Sequence, residues 1–236
     1  MHFAPGHRPT AQDVARLASR PAETTKLAVS FMPKPDEGWL ELIAMGLTFD
    51  VTGLAPLEQA EARKADHHFG LEAAGADQPY EIVRLAAGPH LSGAGRMLPV
   101  LRVLAGLGAE LARLPGLRAI GWETAASRMS PAYFMSAVRA WLMGGAFPAL
   151  GLTAFRRMPS GAMLSQGLVL FTGFEVLVDP REGEAIQETA KLAARVVHIL
   201  IQSGPEDLSI LADQQGQPVS HTFDDNLALL RVCRLG

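Results

Sequence analysis

Three pieces of sequence decide the fold: SPAYFMSAVRAWLMGG at residues 130–145, LTAFRRMPSGAMLSQGL at residues 152–168, and EGEAIQETAKLAARVVHILIQSG at residues 182–204. The first opens with Ser-Pro, a common N-cap and first helical residue, and closes with Gly-Gly, so it predicts a helix. The second places two apolar segments around Pro-Ser-Gly, which predicts a β-hairpin. The third repeats its apolar residues at helical spacing and predicts an amphipathic helix.

The C-terminal half can be divided into elements from these signals. The long helix is predicted from about residue 182 to residue 202, with Ile186 on its buried face and His198 on its polar stripe near the C-terminal end. The predicted strands of this half lie at residues 117–122, 150–157, 162–170, 174–178, 208–212, 219–223 and 227–232.

The N-terminal half gives weaker signals. Thr10 and Asp13 form an acidic variant of the capping box, which predicts a helix to about Arg20. The other predictions are a buried strand at residues 27–32, a segment at 40–51 whose period fits a strand or a helix, a helix-compatible segment at 57–65, a strand at 68–74 and a turn at 75–79.

A Leu-rich helix is predicted over residues 98–114. Its leucines share one face, and we expect Glu110 and its charged neighbours Arg102 and Arg113 to face outward. Gly106 and Gly108 each weaken this helix by roughly 1 kcal/mol relative to Ala, so tertiary packing must hold it.

These elements predict an α+β fold with a mixed, largely antiparallel sheet and helices packed on it in two layers. The chain of 236 residues suits a single domain over residues 1–236. The alternative is two halves, about 1–116 and 117–236, that share a sheet.

Composition excludes several classes of function. The formal net charge is −3 with both signs interspersed, so no basic field exists for nucleic acid. The single cysteine, Cys233, forms no internal disulfide and no cysteine-based metal site. The first residues do not resemble a signal peptide, and the uncharged stretches are too short to span a membrane. We therefore expect a cytoplasmic protein without metal or cofactor.

The candidate site residues are histidines and one carboxylate. His67 and His68 follow Asp66, but successive strand side chains point to opposite faces, so only one of them could join His221 or His90 in space. Glu175 lies in an apolar strand. It either faces water on an alternating strand or is buried, with Arg156 or Arg157 of the hairpin as its partner.

Trp122, Ser130-Pro131, Gly167-Leu168, Phe171 and Glu175 stand in an order that resembles an uncharacterised bacterial family, domain of unknown function 4261. The resemblance covers about the C-terminal half. In place of that family's usual residues, Ser165 stands for Thr, Thr172 for Gly and Leu177 for a second acidic residue. The resemblance implies a bacterial cytoplasmic α+β protein and carries no reaction.

Two classes of function remain open. The first is a non-catalytic binding or protein-interaction module, regulatory or immunity-like, with a protein or small-molecule partner. The alternative is a hydrolase-type enzyme in which His67, His68, His221 or Glu175 acts as acid, base or ligand. A homodimer built on the terminal strands or the hairpin is a further prediction.

Overall fold

The structure is a computed structural model that describes residues 1–56, 63–72, 79–211 and 216–234. The described residues form five α-helices: α1 (Ala11–Ala18), α2 (Leu98–Leu111), α3 (Pro131–Leu142), α4 (Val169–Thr172) and α5 (Ile186–Gln202). The strands are β1 (His2–Phe3), β2 (Ala28–Phe31), β3 (Trp39–Ala44), β4 (Leu47–Thr52), β5 (His67–Phe69), β6 (Glu81–Ile82), β7 (Arg84–Ala87), β8 (Leu117–Trp122), β9 (Ser127–Met129), β10 (Ala154–Arg157), β11 (Met163–Gln166), β12 (Glu175–Val178), β13 (Val219–Asp224) and β14 (Leu229–Arg234).

These strands form three mostly antiparallel sheets, and the predicted α+β class is confirmed. The sheets have the strand orders β5-β9-β8-β1-β6, β2-β3-β4-β7 and β10-β11-β12-β14-β13. The sequence predicted a single sheet, whereas the described strands form three separate sheets. Strands β12 and β14 pair in parallel, with Glu175 opposite Leu229.

The chain divides into two compact units. The first unit comprises Met1–Gly121 and Arg128–Gly145, and the second comprises Trp122–Ser127 and Ala146–Gly236. The first unit has a core of buried apolar residues from α1, α2, β3 and β4, with Phe49 and Leu107 fully buried. The prediction of one domain over residues 1–236 stays a prediction.

Local sequence signals correctly predicted the starts of α1 and α3. Thr10 and Asp13 make both hydrogen bonds of a capping box before α1. Ser130 accepts a hydrogen bond from the Tyr133 N–H before α3, with Pro131 as the first helical residue. The predicted hairpin is β10–β11, with Ala154 opposite Gln166.

Other predictions are wrong in detail. The strand expected to be buried at residues 27–32 is the edge strand β2, and Phe31 on it is 53% exposed. The segment 40–51 is the hairpin β3–β4, in which Met45 and Gly46 both have positive φ. The predicted strand at 208–212 contains part of a 3-10 helix, Pro205–Ile210, and residue 212 lies outside the described residues.

The boundaries of two further elements shift. The strand predicted to run to residue 170 ends at Gln166, because Gly167 adopts φ +88° and α4 follows. The long helix begins at Ile186 rather than near residue 182, and Ile186 is 40% exposed instead of buried. Residues 57–62 of the predicted helix-compatible segment 57–65 lie outside the described residues, as do residues 73–78, which belong to the predicted strand 68–74 and turn 75–79.

Candidate ligand-binding cleft

Glu110 on α2 is buried, contrary to the expectation that it faces outward. Its side chain is 1% exposed. One carboxylate oxygen, Oε1, accepts hydrogen bonds from three consecutive backbone N–H groups, those of Glu23 at 2.8 Å, Thr24, and Thr25 at 3.1 Å. The other oxygen, Oε2, accepts one from Arg113 Nη1 at 2.9 Å. Because a buried carboxylate must be hydrogen-bonded, this helix residue fixes the backbone of residues 23–25.

The charge of Glu110 is stabilised in place. Burial by itself raises the pKa of the Glu110 carboxyl, but the backbone N–H donors and the Arg113 guanidinium outweigh it, and the net pKa is lowered. Glu110 is therefore a structural anion with its donors already supplied. It anchors the segment of residues 23–25, hereafter the anchored segment.

Gly106 explains how this segment comes so close to α2. A Cβ atom at Gly106 would overlap Thr25 Oγ1 and would also crowd Leu142 of α3. Gly108 makes a similar approach, because a Cβ there would lie 3.2 Å from Phe134 Cε1. These two glycines, which only weaken a helix in isolation, allow the helix to pack closely against its neighbours.

Arg102, also on α2, is held against the end of α3. Its guanidinium carbon lies 4.8 Å from the centroid of the Trp141 ring, a cation–π geometry. Its Nη2 donates to the backbone oxygens of Trp141 at 3.5 Å and Leu142 at 3.3 Å. The cation thus lies at the negative end of the α3 dipole.

A cleft of about 670 Å³ opens between these features, hereafter the binding cleft. This volume falls within the range of sites for small organic ligands. The cleft is lined by Thr24, Thr25, Lys26, Met45, Leu47, Leu98, Pro99, Arg102, Val103 and Leu142. Six of these residues are apolar, two are threonines and two are cations.

The anchored segment forms part of the wall of this cleft. Thr24 and Thr25 belong to the wall, and Lys26 follows them directly. The β3–β4 turn supplies Met45, which is 79% exposed. A second cavity of about 460 Å³, lined in part by Glu23 and Arg113, shares Thr24 with the binding cleft. The hydrogen bonds of Glu110 therefore set the position of a wall that both cavities use.

Glu175, the candidate carboxylate of the second unit, is half-buried and fully engaged by local donors. It accepts hydrogen bonds from Ser165 Oγ at 2.5 Å and from the backbone N–H groups of Gly167, Leu168 and Val169 at 2.8–3.2 Å. Ser165, 2% exposed, accepts in turn from the Val176 N–H at 2.7 Å. The carboxylate organises the turn between β11 and β12.

The partners expected for Glu175 from the sequence are wrong. None of the hydrogen bonds described for its carboxylate comes from Arg156 or Arg157, and both arginines are exposed on β10. Peptide N–H groups of a glycine turn take the place of a guanidinium, because the chain folds back onto Glu175 directly after β11.

The candidate histidines lie on two strands in different sheets. His67 and His68 lie on β5 of the first unit, where His67 is half-buried and His68 exposed, as alternation along a strand requires. His221 lies on β13 of the second unit, opposite Val232, and β14 separates that strand from β12 and Glu175. Across the described ranges, no three His, Cys, Asp or Glu side chains cluster in a geometry suited to a metal ion.

Sequence reasoning missed Lys26, Arg102 and Glu110 as site residues. The glycine pair at 106 and 108 was the available signal, because glycine inside a helix often marks a close approach of backbone. What approaches that surface is a segment more than eighty residues earlier, which no local pattern reveals.

Comparisons with protein-family models, curated proteins and solved structures gave no match to this chain. Among helices in the described ranges, none combines the length and apolar character needed to cross a bilayer.

Proposed function

We propose that this chain is a non-catalytic binding module and that the binding cleft of the first unit is its ligand site. The observation that supports this most strongly is the cleft itself. It has about 670 Å³ of space, walls that are mainly apolar, and one wall held by a buried carboxylate with four donors. A preformed apolar cleft with few polar groups is the usual form of a small-molecule site.

The lining favours binding over catalysis. The side chains that face the cleft are aliphatic, thioether, hydroxyl, ammonium and guanidinium groups. Acid–base catalysis near neutral pH usually employs a histidine or carboxylate within reach of the substrate, and this lining offers neither. The hydrolase alternative stays a prediction centred on His67, His68, His221 and Glu175.

A neutral fluorescent probe, N-phenyl-1-naphthylamine, tests this function. We expect saturable binding at one site with increased probe fluorescence.

Val103 lines the cleft and is half-buried, so Val103→Phe should fill part of it and weaken binding by about tenfold or more, as a steric loss of 1.4 kcal/mol would. Val169→Phe is the matched control, because Val169 is 38% exposed in the second unit. Absence of saturable binding, or equal binding by the Val103→Phe variant, would overturn the proposal.

Four finer features remain part of the proposal. The cytoplasmic location rests on the single cysteine, Cys233. The regulatory or immunity-like role, the resemblance to domain of unknown function 4261 and the homodimer stay predictions. Light scattering at low concentration tests the last of these.

A further inference from the structure

We infer that the ligand of the binding cleft is an amphipathic organic anion: a small molecule with one acidic head group and an apolar chain or ring. This inference rests on the proposed function. The apolar part of the ligand is indicated by Leu47, Leu98, Val103 and Leu142 on the walls. The acidic head is indicated by Lys26 and Arg102, because the described residues that line the same cleft include no carboxylate.

The Arg102 guanidinium is held in position, but its positive charge is not compensated by a carboxylate of the described residues. Its described hydrogen bonds are made by Nη2 to two backbone oxygens, which are dipoles rather than full negative charges. Within the described part of the chain, its Nε and Nη1 have no hydrogen-bond acceptor and no carboxylate pairs with it. The stacking on Trp141 holds the guanidinium in place, so little conformational entropy is lost when it binds an anion.

Lys26 adds a second cation. Its side chain is exposed, and over the described ranges it has no hydrogen-bond or ion-pair partner. The carboxylate that anchors this wall, that of Glu110, is already compensated by three backbone N–H groups and Arg113. The cleft is therefore a locally positive site on a chain whose net charge is −3.

Charge and shape together select the ligand class. A neutral apolar molecule would fill the walls but leave both cations without a counter-ion. A multiply charged anion such as a free phosphate would pair with the cations but leave the apolar walls empty. A single acidic head on an apolar body satisfies both parts of the lining, since a charge-assisted hydrogen bond is about twice as strong as a neutral one.

The test compares three ligands with the same ten-carbon chain, decanoate, 1-decanol and decylammonium, below their micelle concentrations by isothermal titration calorimetry. We expect decanoate to bind about tenfold more tightly than decanol, which corresponds to one charge-assisted hydrogen bond, and decylammonium to bind least. Lys26→Gln should remove most of the advantage of decanoate over decanol. Lys26→Arg should retain it, and Lys34→Gln, at an exposed lysine outside the cleft, should behave as the unmodified protein.

The outcomes separate the inference from the proposed function. Equal affinities for decanoate and decanol, or an unchanged preference in Lys26→Gln, would overturn the anionic ligand while the neutral probe still binds. Failure of the probe and of all three ligands to bind would overturn the proposed function and the inference with it.

Discussion

The carboxylate of Glu110 accepts a hydrogen bond of 3.1 Å from the backbone N–H of Thr25, a residue 85 positions earlier in the chain. This contact joins α2 to the wall of the binding cleft. It is also the point at which sequence reasoning and the structure differ most, because a carboxylate on an amphipathic helix is normally a solvent-facing residue.

Replacing Glu110 should be costly. Glu110→Ala leaves three backbone N–H groups and the Arg113 guanidinium without their acceptor, so we expect a loss of about 3 kcal/mol in the free energy of unfolding. Glu110→Gln keeps one acceptor oxygen and should lose about half of that. Urea unfolding measures the free energy of unfolding of both variants.

Glu188→Gln is the control, since its exposed pair with Lys191 contributes at most about 0.5 kcal/mol. A loss below 1 kcal/mol in Glu110→Ala would show that the anchor is unimportant.

Gly106→Ala should destabilise the protein although alanine is the better helix former. Intrinsic propensity favours the alanine by about 1 kcal/mol, but its Cβ would overlap Thr25 Oγ1, and overpacking costs about 1–3 kcal/mol. Combining it with Thr25→Ala removes the overlapping oxygen and should restore part of the loss. Differential scanning calorimetry of the two single variants and the double variant tests this, and additive effects would contradict it.

His2 should make stability depend on pH. Burial, the nearby N-terminal ammonium and the Arg128 guanidinium lower the pKa of His2 from 6.5 to about 3. Between these values the unfolded chain binds a proton that the folded chain does not. The free energy of unfolding should therefore be unaffected by His2 above pH 6.5 and fall below it, by up to about 1.4 kcal/mol per pH unit.

The variant His2→Phe tests this linkage, because phenylalanine cannot titrate. Its urea unfolding curves should lose this slope between pH 6.5 and pH 5, a window above the ordinary range of carboxyl groups. His68→Gln, at an exposed histidine, should keep the slope. An unchanged slope in His2→Phe would show that another group is responsible.

Glu175 should behave as a structural residue. Glu175→Ala removes the acceptor for Ser165 Oγ and three peptide N–H groups, and we expect a loss of about 2 kcal/mol in the free energy of unfolding. Binding of N-phenyl-1-naphthylamine should be unchanged while the protein is folded. A stable Glu175→Ala variant would argue instead for a functional carboxylate, as the sequence alternative holds.

The sequence alone predicted those elements whose stabilising residues lie within a few positions of one another. Thr10 with Asp13, and Ser130 with Pro131, carry their capping partners within three residues, and the turn between β10 and β11 has its own Pro-Ser-Gly. Periodicity likewise identified α2 as amphipathic. The division into three sheets required the actual strand pairing, as in the parallel contact of β12 with β14 across the intervening α5.

The candidate site depended on long-range causes. Lys26 is exposed and lies next to a segment held by a helix far along the chain, so nothing near it in sequence indicates a ligand. Arg102 belongs to a face of α2 that was predicted to point outward. Its guanidinium is held in place by contacts with the end of α3, which is distant in the sequence. Glu175 has local partners, but they are backbone N–H groups, which no residue type identifies.

The most direct test of the binding cleft is a titration of the ¹⁵N-labelled protein with decanoate, followed by backbone amide chemical shifts. We expect saturable shifts concentrated at Thr24, Thr25, Lys26, Leu47 and Val103, which line the cleft, and saturation of the first four at about tenfold or more higher decanoate concentration in the Val103→Phe variant. Shifts centred on residues of the second unit, or no saturable shifts at all, would contradict it.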